Sequence, residues 1–113
     1  MKTEPGSRIE LVPGTLTLLV LRVLDSGPLH GYAIAQRISL VSGEVLRVEE
    51  GSLYPALQKM LREGWVRAEW GLSDTKRRVR SYRLTAAGRA QLETKRAGYD
   101  HVNRAIQAVL KHA

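Results

Sequence analysis

The chain has 113 residues, 43% of them hydrophobic and 26% charged, with 18 Lys or Arg against 11 Asp or Glu and a net charge of +7. This length sets a single domain with a modest core, the composition excludes a disordered chain, and the positive charge calls for an anionic partner. Cysteine is absent, which excludes disulfides and thiolate metal sites.

The three histidines, His30, His101 and His112, match none of the usual ligand spacings, so neither a metal nor another cofactor is expected. The N-terminus carries Glu4 and Pro5 rather than a basic start and a long apolar run, so no signal peptide is expected. The longest apolar region, Leu16 to Leu24, includes Thr17 and Arg22 and is too short to span a bilayer. A cytoplasmic protein with no membrane partner follows. The charge is unevenly placed: residues 1–50 hold five Lys or Arg against six Asp or Glu, and residues 51–113 hold thirteen against five.

Residues 1–14 read as an arm. Pro5, Gly6 and Pro13 forbid a continuous helix there, and Ile9, Leu11 and Val12 are apolar enough to pack on another surface. Thr15 to Ser26 is predicted as a first helix, because Leu16, Leu19, Val20, Val23 and Leu24 recur at three- and four-residue spacing. Leu18 and Leu21 widen its apolar surface, and Gly27-Pro28 stops it. Leu29 to Leu40 is predicted as a second helix with Gly31, Ile34, Ala35 and Ile38 on one face. His30 and Tyr32 lie at its start, where His30 reads as a capping or packing residue, or as a phosphate contact. Val45 to Val48 reads as a short strand or an extended linker.

A third helix follows, capped near Gly51 or Ser52. Leu53, Leu57, Met60 and Leu61 form its core face, and Gly64 its stop. Pro55 is expected in its first turn. Its outer face carries Ser52, Gln58, Lys59 and Arg62, with Tyr54 at the edge. Trp65 to Trp70 and Val79 to Leu84 then read as two strands joined by a turn over residues 71–75. Lys76, Arg77, Arg78 and Arg80 make this hairpin cationic, and Tyr82 and Leu84 point inward. Thr85 is a plausible N-cap for a last helix reaching about Leu110. On that helix Leu92, Tyr99, Val102, Ile106, and Val109 or Leu110 recur near heptad spacing, interrupted by Lys95.

The fold class that emerges is mainly α with a small β-wing: a winged helix-turn-helix over residues 15–84, plus a C-terminal dimerisation helix over residues 85–113. The third helix and the wing suit double-stranded DNA. Gln pairs with adenine, Lys and Arg pair with guanine, and wing guanidinium groups suit the backbone or the minor groove. Candidate DNA contacts are therefore Ser52, Tyr54, Gln58, Lys59, Arg62, Lys76, Arg77, Arg78 and Arg80, with the helix choosing the sequence and the wing mostly supplying affinity. The seam of Leu92, Tyr99, Val102, Ile106, Val109 and Leu110 calls for a second copy of the chain. An enzyme is not expected, because there is no Cys, no His cluster and no Gly-rich phosphate loop, and the adjacent Glu49 and Glu50 read as a solvated turn. The alternative reading is a winged-helix protein-interaction module without DNA binding.

Four blocks give this sequence a family likeness: Leu29-His30-Gly31-Tyr32-Ala33-Ile34, Gly51-Ser52-Leu53-Tyr54-Pro55-Ala56-Leu57, Glu63-Gly64-Trp65-Val66, and Tyr82-Arg83-Leu84-Thr85-Ala86-Ala87-Gly88. In order and spacing they resemble the PadR-like transcriptional regulators over residues 15–92. The Gly-Ser-Leu-Tyr-Pro block is the most specific of them. The resemblance implies a dimeric winged-helix regulator, usually a repressor, on an inverted-repeat operator. It places Tyr54 at the family's recognition-helix tyrosine and Arg77 to Arg80 on its wing. Two departures stand out: Ser81 occupies a position that is aromatic in many members, and a single C-terminal helix replaces the helical domain of larger ones. Some members bind planar aromatic ligands between subunits, which makes Trp65, Trp70 and Tyr99 the candidate effector pocket, with core and dimer packing as the plainer role for these three.

Overall fold

A computed structural model describes residues 13–113. The expected arm, with Ile9, Leu11 and Val12, lies outside the described residues except for its last two positions. Those two belong to the first helix, α1 (Pro13–Leu24), which therefore starts and ends two residues earlier than its spacing predicted. Proline at the first helical position gives up no hydrogen bond, because that N–H has no partner within the helix. Asp25, Ser26 and Gly27 then turn the chain, with the Asp25 amide donating to the Leu21 carbonyl.

The second departure is a strand. Leu29–His30 forms β1, and the second helix, α2 (Gly31–Val41), starts two residues later than expected. Two residues are too few to leave a periodic signature. They extend after Pro28 and pair with Tyr82 and Ser81. His30 is the N-cap of α2, its Nδ1 accepting from the Ala33 amide at 3.3 Å, which is the capping role its position suggested. Residues 45–48 form no strand. They are the extended linker, with Leu46 and Val48 resting on the core.

The third helix, α3, runs Glu50–Arg62 with Glu49 as N-cap. It starts early enough to place Pro55 in its second turn rather than its first. There the missing N–H leaves the Gly51 carbonyl without its intrahelical donor. The wing consists of β2 (Val66–Leu72) and β3 (Arg78–Leu84), and the sheet order is β1-β3-β2. The strands are longer and the turn later than predicted. The Lys76 amide donates to the Ser73 carbonyl and the Ser73 amide to the Arg77 carbonyl, so the turn lies at residues 73–77, with Lys76 at φ +60°.

One core unites the elements. Leu16, Val20, Leu21 and Leu24 of α1 meet Ile34 and Ile38 of α2, Leu53, Leu57 and Met60 of α3, and Val66, Tyr82 and Leu84 of the sheet. In the absence of phenylalanine, aliphatic side chains do the packing. The last helix, α4 (Ala86–His112), adds only Gly88 and Leu92 to the buried set. Its N-cap is Thr85, as expected: the hydroxyl accepts from the Gly88 amide at 3.0 Å and donates to the Gly64 carbonyl at 2.7 Å. Arg89 of α4 pairs with Asp25 at 3.1 Å, tying the first turn of α4 to the residue that follows α1. From Arg96 onward every residue of α4 is exposed. Its 27 residues span about 40 Å, and more than half of that length projects beyond the core.

Candidate nucleic-acid interface

The amphipathic spacing of α3 decides what it offers. Leu53, Leu57 and Met60 are fully buried, which turns Gln58, Lys59 and Arg62 outward. Ser52 and Tyr54 lie on opposite flanks of that outer face. Ser52 and Lys59 border a cavity of about 390 Å³ shared with Leu16, Thr17, Trp65 and Lys95. Tyr54 leans the other way, across the first turn of α2. A Cβ on Gly31 would lie 2.9 Å from the Tyr54 hydroxyl, so glycine there is what lets the tyrosine lie flat. Tyr54 and Gln58 line a cleft of about 430 Å³ that runs from α2 to the wing and ends on Trp70 and Arg80.

On the wing, the β2–β3 register sets Trp70 opposite Arg80 and Leu72 opposite Arg78. Alternation along the strands gives these four the same face as Val66, Tyr82 and Leu84, so the core-facing side of the sheet continues outward as an exposed aromatic and cationic surface. The Arg78 guanidinium lies 4.5 Å over the Trp70 ring, and that of Arg80 lies 5.8 Å from Tyr82. Lys76 and Arg77 stand at the tip. Among the described residues, Lys59, Arg62, Lys76, Arg77, Arg78 and Arg80 have no carboxylate within ion-pair distance; the pairs present are Arg83–Glu69 and Arg89–Asp25. Of these cations, Arg78 and Arg80 lie over aromatic rings, and no described carboxylate neutralises the charge of the six.

Within one chain, Trp65, Trp70 and Tyr99 do not line a common cavity. Trp65 lines the cavity beside Lys59 and Trp70 lines the cleft beside Tyr54, while Tyr99 is half exposed on α4. Lys95, which interrupts the seam, reaches back 5.2 Å over the Trp65 ring. It belongs to the packing of α4 on its own domain. Leu92 is likewise a core residue, so the open part of the seam starts at Tyr99 and continues through Val102, Ile106, Val109 and Leu110, all at least half exposed. The sequence reading missed Leu72 by placing it in a turn. The alternation Ala68, Trp70, Leu72 was the available signal, and it points all three to one face. Among the described residues, no cluster of His, Cys, Asp or Glu could hold a metal ion, and no helix is long and apolar enough to cross a membrane.

Known proteins resemble this chain in sequence and in fold. A protein of transposon TN4556 from Streptomyces fradiae, of 37.1 kDa and itself uncharacterised, is 46% identical over 76 residues, which are 67% of this chain and 20% of that protein; the chain thus spans about a fifth of that relative's length. Among solved structures, a transcriptional regulator from Clostridium thermocellum is 26% identical with a TM-score of 0.76, covering 83% of this chain and 91% of that one. A PadR family transcriptional regulator from Eggerthella lenta is 26% identical with a TM-score of 0.75, over 88% and 85% of the two chains. The sequence model of the transcriptional regulator PadR-like family matches residues 20–94. That span contains α3, the whole wing and the junction with α4, and on it the chain belongs to the PadR-like family of transcriptional regulators.

Proposed function

We propose that the protein is a sequence-specific regulator of transcription that binds double-stranded DNA as a homodimer and represses from an inverted-repeat operator. The observation that carries this reading is the shared surface of α3 and the wing. An exposed helix face with Gln58, Lys59 and Arg62 lies beside a hairpin whose Lys76, Arg77, Arg78 and Arg80 have no carboxylate partner among the described residues. A helix of this width suits the major groove. Unneutralised Lys and Arg suit phosphates, whose counterions they release. The projecting, apolar-striped end of α4 supports pairing of two copies, because such a stripe on an isolated helix gains by meeting its equivalent.

The test is an anisotropy titration of the full chain against the duplex upstream of its own gene and against random duplex, at several salt concentrations. Preference for the former and a steep loss of affinity with salt are expected; equal binding to both would overturn the reading. Two substitutions separate the roles. Arg77→Ala should weaken binding to every duplex and reduce the salt slope by about 1. Gln58→Ala should instead change base preference at one position, by about 1–3 kcal/mol of discrimination. If Gln58→Ala weakened all duplexes alike, α3 would not be the reader.

Release by a planar aromatic effector is the last part of the proposal. Its seat is the cavity between α1, α3 and α4, where Trp65 offers a ring face and Lys59 and Lys95 offer charge. In a Trp70→Phe background, a planar aromatic acid should quench Trp65 emission and weaken DNA binding together. Quenching without loss of DNA affinity would remove the regulatory role.

A further inference from the structure

Resting on the DNA-binding reading above, we propose that Trp70 and Arg78 act as one unit that reads the minor groove flanking the half-site, with Trp70 as the positioning residue for the Arg78 guanidinium. A wing built only to hold phosphates needs hydrated cations, and Lys76 and Arg77 at the tip meet that need. Yet the same hairpin exposes Trp70 by 59% and Leu72 by 72%, on the face that also carries Arg78 and Arg80. Two large apolar side chains have nothing to offer a phosphate.

The minor groove has the complementary chemistry. Its walls are the C–H edges of deoxyribose, and its floor carries the acceptors of A·T pairs. Arg78 is stacked 4.5 Å over the Trp70 ring. Stacking on one ring occupies one face of the guanidinium and leaves its in-plane N–H donors free, and among the described residues no carboxylate takes them. The unit therefore presents donors in a plane set by the Trp70 ring, with Leu72 on the same strand face. Holding the guanidinium in advance reduces the side-chain freedom lost on binding. Guanine places an amino donor on the same floor, which opposes an arginine, whereas narrow A·T tracts concentrate negative potential that attracts one. Trp70 also lines the cleft with Tyr54 and Gln58, so the unit lies on the reading side of α3.

The experiment starts from a duplex selected by the full chain from a random-sequence pool. The base pairs outside its half-sites are replaced by G·C or, at the same positions, by inosine·C. The two versions present the same groups in the major groove and differ by the guanine amino group in the minor groove. The unaltered chain should bind the inosine version about tenfold more tightly. Trp70→Ala and Arg78→Lys, which keep the fold and, in the second case, the charge, should lose that ratio with the half-site preference intact. Trp70→Phe, which keeps a ring under the guanidinium, should retain most of it. Equal binding of the unaltered chain to both flanks, or a ratio that survives Arg78→Lys, would overturn the inference. Failure to select any sequence from the pool would instead overturn the DNA-binding reading on which it rests.

Discussion

Val102→Glu combined with Ile106→Glu is expected to convert the proposed dimer to a monomer and to weaken binding to a duplex with two half-sites by about 100- to 10,000-fold, the range by which joined sites exceed single ones. Both side chains are at least half exposed on the projecting part of α4, and neither contributes to the core of Leu16 through Leu92. Exposed substitutions of this kind leave a monomer's stability within about 0.5 kcal/mol, so thermal unfolding of the separated chain should still report a folded winged helix. In a paired seam the same glutamates face each other across a two-fold axis, where each would be an unpartnered buried charge. Sedimentation equilibrium and anisotropy on one-half-site and two-half-site duplexes give the answer together. A variant that stays dimeric places the interface elsewhere. A monomer that retains full affinity shows that the operator is not read as two halves.

Gly88→Ala should cost about 3 kcal/mol, the upper end of what overpacking does, and lower Tm by about 10 to 15 °C for a chain of this size. An added Cβ would run into the Trp65 carbonyl oxygen and lie 2.6 Å from Leu84 Cδ1. The Trp65 carbonyl is not free to withdraw. The Trp65 carbonyl accepts from the Thr85 amide at 3.0 Å, and the preceding Gly64 carbonyl accepts the Thr85 hydroxyl at 2.7 Å. The first turn of α4 would have to lift from the strand, exposing Leu92 behind it. Calorimetry checks this, and an unchanged Tm would mean that the junction is not the fixed point it is argued to be.

What the sequence disclosed follows from which physical signals are periodic. Leu53, Leu57 and Met60 announced a helix by their spacing, and the outward placing of Gln58 and Arg62 followed at once. Tyr82 and Leu84 announced a strand with one buried face. Thr85 announced a cap because a side-chain oxygen before a helical run has one well-defined use. The errors fall where no period exists. β1 has two residues and is fixed by partners some fifty positions away. The start of α3 depends on the backbone of Glu49, whose side chain is not a usual cap. Lys95 read as a flaw in a seam because its partner, Trp65, lies thirty residues earlier and only the fold brings them together. The same holds for Arg78 on Trp70: the charge run was visible, but the cross-strand register that stacks it was not. The exposed apolar stripe was legible from Tyr99 onward, and the buried Leu92 was grouped with it because spacing alone cannot tell which of two apolar surfaces a leucine will join.

The single residue between β3 and α4 has a geometric consequence. With Thr85 hydrogen-bonded on both sides, wing and helix form one stiff lever, and the stripe at Tyr99 has a fixed angular phase relative to the outer face of α3. Each residue added to or removed from α4 before Tyr99 turns that stripe by about 100° and shifts it by about 1.5 Å. In the proposed dimer, the register of this one helix would therefore set how far apart, and at what relative rotation, two copies hold their reading surfaces. The number of base pairs between the halves of the proposed operator would in that sense be written into the length of the segment from Ala86 to Gly98.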